Sequence, residues 1–249
     1  MPGNPSDGLT FDNFRELAVR DGLSRHERVG FPDRYREGRE QLIFGDMLAK
    51  LRALRGTGLR VLEIGPGCAD VPRHLIAHCA QHRHGLHLAD SAEMLAHLPD
   101  APHVSKWCGA FPGTIFERMR ADGLRFDAII AYSVIQYVFA EANLWGFLDS
   151  CLSLLTDGGE LLLGDIPNAT MRKRFFSSAD GRRQHREFTQ KDAPPEVVFN
   201  RLETGAIDDS VVLALLARSR AAGFHAWVVP QADGLPMANR REDILIRKP

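Results

Sequence analysis

The segment VLEIGPGCAD, residues 61–70, constrains the fold more than any other part of the chain. A short apolar run, Leu59–Ile64, ends in Gly-Pro-Gly. Asp70 then opens a helical stretch with Pro72 in its first turn, where proline is tolerated. A strand that turns through glycines into a helix is the opening unit of an open α/β sheet, and that turn is where such sheets take a nucleotide. Glycine is needed because the backbone must turn tightly and approach its ligand with no side chain between. The dinucleotide form of the turn is GxGxxG. Asp70 stands in place of the third glycine, so that form is not met, and it sets negative charge where a pyrophosphate would lie.

The alternation continues along the chain. Gly85–Ala89 reads as a second strand, followed by a helix over Ser91–Leu98. His103–Trp107 is a weak third strand and Gly113–Ala121 a helix. Phe126–Tyr132 is a strong fourth strand, Glu141–Leu155 a helix, and Glu160–Ile166 a fifth strand entered through Gly158-Gly159. A helix over Asp208–Ala222 and strands at Phe224–Val229 and Asp243–Arg247 follow. This pattern predicts an α/β fold, a doubly wound seven-stranded sheet, mostly parallel and covered on both faces. The last two strands are joined without a helix, so they pair antiparallel.

Ahead of the sheet, Phe11–Arg20 and Asp33–Leu54 carry apolar residues at helical spacing. Residues 1–57 therefore read as a helical extension and 58–249 as the main domain. Asp33 reads as an N-cap, Gly56 as a stop, and residues 1–8 as frayed. Residues 167–206 hold prolines, a basic cluster and no clean periodicity, and read as an insertion.

Two carboxylates narrow the ligand. Glu63 ends the first strand just before the glycines, which suits a ligand with a cationic amino acid part better than a polyphosphate. Asp90 ends the second strand, where a carboxylate accepts hydrogen bonds from two ribose hydroxyls. VLEIGPG, the acid after the second strand, FDAIIAYSVIQYV and LLTDGGELLLGD together resemble the successive motifs of class I S-adenosylmethionine-dependent methyltransferases, over roughly residues 59–249. The resemblance implies the Rossmann-like methyltransferase fold and S-adenosyl-L-methionine as cofactor. It implies that Glu63, Gly65, Pro66 and Gly67 meet the methionine half, Asp90 and Ser91 the ribose, and Met94, Gly109 and Ala110 the adenine, with Ala131 beside them. The family often carries an acid after the third strand near the adenine amine. Here Cys108-Gly109-Ala110-Phe111 has none, which leaves backbone groups or the faces of Trp107 and Phe111 for that task. A nicotinamide-binding domain and a module without catalysis are the competing readings.

The methyl acceptor is read by exclusion. The fourth strand ends in Ala131-Tyr132-Ser133, without the Asn/Asp-Pro-Pro-aromatic run of exocyclic-nitrogen enzymes or the Pro-Cys of cytosine-C5 enzymes. That favours a small-molecule or carbohydrate acceptor, with oxygen ahead of nitrogen. FPDRYREGRE before the core and a long insert after the fifth strand resemble small-molecule methyltransferases of natural-product or surface-carbohydrate biosynthesis. A neutral alcohol needs help losing its proton. Asp165, His185 and Tyr132 are the nominated groups, against the plain readings of a turn-capping acid and a solvated histidine. Tyr35 and Gln136 reach toward the acceptor, with Arg25, His26, Arg28, Arg34 and Arg36 beside them on the extension. A packing or dimer contact is the alternative for that segment.

Between Met171 and Arg186 lie Arg172, Lys173, Arg174, Arg182, Arg183 and Arg186, with Asp180 the one acid. Such a cluster suits an anionic acceptor, gripped by Arg182, Arg183 and Arg186. A solvated loop, or a docking surface for RNA or protein, are the alternatives. The net charge of −1 argues against coating nucleic acid, so no DNA partner is expected. The longest uncharged apolar-rich run, Ala128–Ala140, falls far short of the ~20 residues of a membrane span. The start, MPGNPSDG, shows no secretory pattern, so a cytoplasmic location is expected. Cys68, Cys79, Cys108 and Cys151 form no CxxC pair. His74, His78 and His82 recur every four residues on one helix. They read as surface histidines, and no metal is expected. Monomer and homodimer are both left open.

Overall fold

A computed structural model describes residues 9–201 and 203–249, with Arg34 and Tyr35 described by their backbone alone. The expectation for residues 1–8 lies outside the described residues. Four helices come first: α1 (Phe11–Val19), α2 (Arg25–Arg28), α3 (Asp33–Arg36) and α4 (Glu40–Lys50). The alternating part runs β1 (Arg60–Ile64), α5 (Val71–Gln81), β2 (Gly85–Asp90), α6 (Ala92–Leu95), β3 (Val104–Cys108), α7 (Gly113–Ala121) and β4 (Phe126–Tyr132). It continues with α8 (Ile135–Glu141), α9 (Leu144–Ser153), β5 (Leu155–Pro167), α10 (Ala169–Ser177), α11 (Ala179–Thr189), α12 (Asp209–Ala221), β6 (His225–Pro230) and β7 (Arg241–Arg247).

The seven strands form one sheet in the order β3-β2-β1-β4-β5-β7-β6. All pairs are parallel except those of β7, which runs antiparallel to both β5 and β6. This is the doubly wound, mostly parallel sheet that the alternation predicts. Its two faces follow the period-two alternation of the strands. Leu62, Ile64, Ile129, Leu161 and Leu163 pack with α7, α9 and α12 on one side. Val61, Ala128, Ile130 and Leu162 pack with α4 and α5 on the other. Each fully buried Leu or Ile contributes ~1.5–3 kcal/mol against exposure.

Four local expectations are corrected. The helix expected over Asp33–Leu54 breaks between α3 and α4, where Gly38 takes φ +73°. Pro32, not Asp33, is the N-cap of α3, and the Asp33 carboxylate instead takes the Ser24 hydroxyl and the His26 ring. The expected helix over Glu141–Leu155 is two helices, because Asn143 caps α9 by accepting from the Gly146 N–H. The insertion contains helices α10 and α11. They pack on each other through Gly181, where a Cβ would lie 2.0 Å from the Phe175 carbonyl oxygen, and α10 also rests on the turn at Ala238–Arg240.

The boundary at residue 57 does not divide the core. Ile43, Phe44 and Met47 of α4 and Leu51 and Leu54 after it share one cluster with Val61, Leu75 and Leu86. The segment before α4 forms a separate cap, whose Phe14, Ala18 and Val29 pack on Cys68 and Met94. Among the described residues no helix is long and apolar enough to cross a membrane.

Candidate active site

The strand order reverses direction between β1 and β4, so a crevice opens at their carboxyl ends. Gly65 and Gly67 line it with φ +67° and +65°, a conformation that costs other residues ~1–2 kcal/mol. A Cβ on Gly65 would lie 2.6 Å from Val134 Cγ2, and one on Gly67 2.6 Å from Val29 Cγ1. The turn is held from below: the Gly65 N–H donates to the Ala89 carbonyl at 2.8 Å, and the Gly67 N–H to Asp90 Oδ2 at 2.9 Å.

Asp90 is buried and also accepts from the Ser91 N–H through Oδ1 at 2.6 Å. Burial pushes its carboxyl up to about 6 against the lowering effect of those two N–H donors. Glu63 is buried with no donor on Oε2. Burial, followed by the nearby Asp90, pushes its carboxyl up to about 8. Two desolvated carboxyls beside a left-handed glycine turn offer unfilled acceptor positions that suit a cation or hydroxyl donors.

The other residues nominated for the cofactor gather at the same rim. Ser91 caps α6 by accepting from the Met94 N–H, and Met94 is buried under Ala18 and Val29. Gly109 donates its N–H to the Asp90 carbonyl, so β3 hands Gly109 and Ala110 to the edge of the crevice. Pro66 is half-buried between the two glycines, and Ala131 is fully buried at the end of β4. Trp107 and Phe111 are committed elsewhere. The Trp107 indole donates to His87 Nδ1 at 3.0 Å, and the Phe111 ring meets Phe116 and Phe147 edge-on.

The cap closes this rim. Arg15 pairs with Glu93 at 2.8 Å, and Arg25 with Asp70 at 2.6 Å. Asp70, which replaces the third glycine of a dinucleotide turn, thus anchors the cap. Phe14 packs edge-on against Tyr137 with ring centroids 4.9 Å apart. His26 is buried with Nδ1 3.0 Å from Asp33 Oδ1 and Nε2 2.5 Å from Glu40 Oε1, and so ties α2 to α3 and α4. Tyr35 lies on α3, and its side chain lies outside what the structure describes.

At the tips of β4 and β5, Ser133 and Asp165 both take left-handed backbone, φ +60° and +58°, and their side chains hydrogen-bond each other. The ladder between β5 and β7 shifts register between Leu163 and Ile166, and at this bulge the Asp165 N–H donates to Asp243 Oδ1 at 2.8 Å. Asp165 is buried and accepts from Arg36 Nη2 at 2.8 Å, Arg241 Nη1 at 2.7 Å and Gln231 Nε2 at 3.3 Å. Its Oδ2 takes both arginines and the Ser133 hydroxyl, while Oδ1 takes the Gln231 amide alone. Burial, and then the nearby Asp165 and Asp243, holds the Tyr132 phenol well above its ordinary range, so Tyr132 keeps its proton. The ring lies flat over Gly164, where a Cβ would sit 2.3 Å from Tyr132 Cδ2. Gln136 donates from Nε2 to the Ser133 carbonyl at 2.8 Å, and its Oε1 is shielded and accepts no hydrogen bond.

The insertion is not an open cluster of cations. Arg172 and Lys173 both pair with Glu203, Arg174 with Asp209, and Arg183 with Asp180 and Glu187. Arg182 donates to the Ser177 carbonyl, and Arg186 is exposed. Proximity in sequence gathered these cations, while their partners lie up to 35 positions away. His185 sits on α11 against Phe176, with ring centroids 6.1 Å apart, and no hydrogen bond or ion pair joins its ring to the cluster around Asp165. The histidines of α5 divide: His74 stacks on Phe44, while His78 and His82 join His84. His78 and His84 donate to the Leu54 carbonyl and His82 to that of Gly56, fastening the segment ahead of β1.

Val29, Val134, Gln231, Arg241 and Asp243 shape the site and were not read from the sequence. Only β7 carried a signal. In REDILIR the period-two alternation places Arg241 and Asp243 on the face of Leu245, a mark of buried charge.

No protein-family model matches the chain, and no curated protein matches it. Solved structures do. The plantazolicin methyltransferase BpumL, in complex with a triazolic desmethylPZN analog and SAH, is 12% identical over 95% of this chain and 98% of that one, with a TM-score of 0.58. The N-methyltransferase NodS from Bradyrhizobium japonicum WM9, in complex with S-adenosyl-L-homocysteine, is 18% identical over 96% of this chain and 98% of that one, at 0.57. The CurJ carbon methyltransferase is 17% identical over 94% of this chain and 63% of that one, at 0.52. The chain has the fold that these methyltransferases share.

Proposed function

We propose that this chain is an S-adenosylmethionine-dependent methyltransferase acting on a small-molecule acceptor that presents a hydroxyl or an amine. The observation that carries the reading is Glu63, a buried carboxyl with an unpartnered Oε2 next to the glycine turn and Asp90. The ammonium of a methionine part supplies the missing donor and charge. Asp90 keeps acceptor capacity for ribose hydroxyls, since each oxygen uses one site on a backbone N–H. Gly65, Pro66 and Gly67 would pass along the methionine part, Ser91 beside the ribose, and Met94 with Gly109 and Ala110 would border the adenine. When bound, the sulfonium supplies an electrophilic methyl group. The chain's own task is then to orient the acceptor and keep water out, which the cap residues Phe14 and Val29 support.

Nicotinamide binding is less well supported, because Asp70 and its partner Arg25 occupy the approach to the helix. A module without cofactor is disfavoured on energetic grounds, since burying an unpaired Glu63 carboxyl costs stability that only a ligand returns. Docking of RNA or protein loses weight because Glu203 and Asp209 engage three of the six cations of the basic cluster. An anionic group on the acceptor would meet Arg182 and Arg186. The test is titration calorimetry with S-adenosylhomocysteine and with NAD. Binding of the first and not the second supports the reading, and the reverse overturns it.

A further inference from the structure

Two shielded oxygen atoms without a donor flank the crevice between β1 and β4. Glu63 Oε2 stands on the β1 side and is met by the proposed cofactor. Gln136 Oε1 stands on the β4 side, in the first turn of α8, and nothing proposed so far meets it. The orientation of the Gln136 amide is settled by its neighbour. Nε2 faces the Ser133 carbonyl at 2.8 Å, and a reversed amide would set two carbonyl oxygens against each other. The open end is therefore an acceptor of hydrogen bonds. Its surroundings are those of the reaction rim. Val134, two residues earlier, rests on Gly65, and Ser133 bonds to Asp165 and to Arg36 of the cap.

The groups able to take a proton near this point are already engaged. Asp165 is held between two arginines, Tyr132 keeps its proton, and both nitrogens of His26 face carboxylates. An amide oxygen holds a donor but removes no proton. Resting on the methyltransferase reading, we propose that Gln136 Oε1 accepts one N–H of a neutral amine acceptor and so aims the nitrogen lone pair at the methyl carbon. The acceptor class is thereby an amine rather than an alcohol. The lone pair forms the new carbon–nitrogen bond while the carbon–sulfur bond breaks and leaves its electron pair on sulfur. The product is first a methylated ammonium, and its extra proton passes to bulk water after release. No base is consumed in the step.

Sinefungin tests this, because it carries a primary amine on the carbon that replaces the sulfonium. Its affinity is measured beside that of S-adenosylhomocysteine for the wild type, Gln136→Met and Gln136→Glu. The wild type is expected to prefer sinefungin by about tenfold, the scale of one hydrogen bond to a charged group. Gln136→Met removes that preference while S-adenosylhomocysteine binds as before, and Gln136→Glu widens it. An unchanged preference in both variants overturns the proposal. If Gln136→Met does not fold, Gln136→Glu alone decides by the same ratio. If the wild type binds neither compound, the methyltransferase reading itself has failed.

Discussion

Arg36 and Asp165, 129 positions apart, form a buried ion pair, Nη2 to Oδ2 at 2.8 Å, that fastens the cap to the tip of β5. Arg36 lies over the Phe31 ring at 4.0 Å, and Arg241, over the same ring at 5.8 Å, shares the same carboxylate oxygen. Removing one partner of a buried pair strands the other charge, at a cost of about 3–5 kcal/mol. Asp165→Asn strands two cations and is expected to lower stability by at least that scale in urea denaturation. Wild-type stability in this variant would mean that the ion pair does not fasten the cap to β5 in solution.

Glu63 links stability to ligand binding. Its folded carboxyl titrates at about 8, above the ordinary value of 4.5. The folded state therefore holds a proton that the unfolded chain has released. The stability this provides is intact below about 4.5 and is lost as pH rises through about 8. Glu63→Gln keeps the neutral form at every pH, so it is expected to raise the Tm of the ligand-free protein at pH 9. The cationic ligand requires the opposite form. Affinity for S-adenosylhomocysteine is expected to rise from pH 6 to pH 9 in the wild type, and to be weak and flat in Glu63→Gln. A wild-type profile without slope in that window removes Glu63 from the ligand's ammonium.

The parts of this molecule that were legible in the sequence are local. Glu63, Gly65, Gly67 and Asp90 are adjacent to strand ends, and strand ends are marked by apolar runs meeting glycine or acid. The helices α10 and α11 were not legible, because Arg172, Lys173 and Arg174 satisfy acids rather than a core, which leaves no apolar period to read. The closing contacts were not legible either. Val29 on Gly67 and Arg36 on Asp165 join residues that no short-range pattern relates. His26 was read as a residue reaching the pocket, whereas Asp33 and Glu40 occupy both of its nitrogens.

Gly67 and Val29 form a steric pair that a double-mutant cycle can isolate. Gly67→Ala adds a Cβ 2.6 Å from Val29 Cγ1 on backbone at φ +65°. The strain alone costs ~1–2 kcal/mol, and the clash adds to it. Val29→Ala opens the space, so the double variant is expected to lose less than the sum of the single losses, a coupling of ~0.5–3 kcal/mol in denaturant unfolding. Strict additivity would mean that the cap does not rest on the glycine turn in solution.

The basic insertion divides into cations that hold the fold and cations that are free to act elsewhere. Glu203 takes both Arg172 and Lys173, whose side chains are 39% and 13% exposed. Exposed ion pairs are worth ~0–1 kcal/mol each, but here one carboxylate serves two cations and ties α10 to the chain ahead of α12. Glu203→Ala is expected to cost about 1 kcal/mol and to speed proteolytic cleavage between residues 190 and 208. Arg182→Ala and Arg186→Ala, with no carboxylate partner among the described residues, are expected to stay within about 0.5 kcal/mol of the wild type. Added salt should lower the stability of the wild type by screening the Glu203 network, and should lower that of Arg182→Ala and Arg186→Ala by the same amount, because both variants keep that network. If Arg182→Ala or Arg186→Ala unfolds the insertion as readily as Glu203→Ala, those arginines are part of its scaffold, and no cation of α11 is left over for an acceptor.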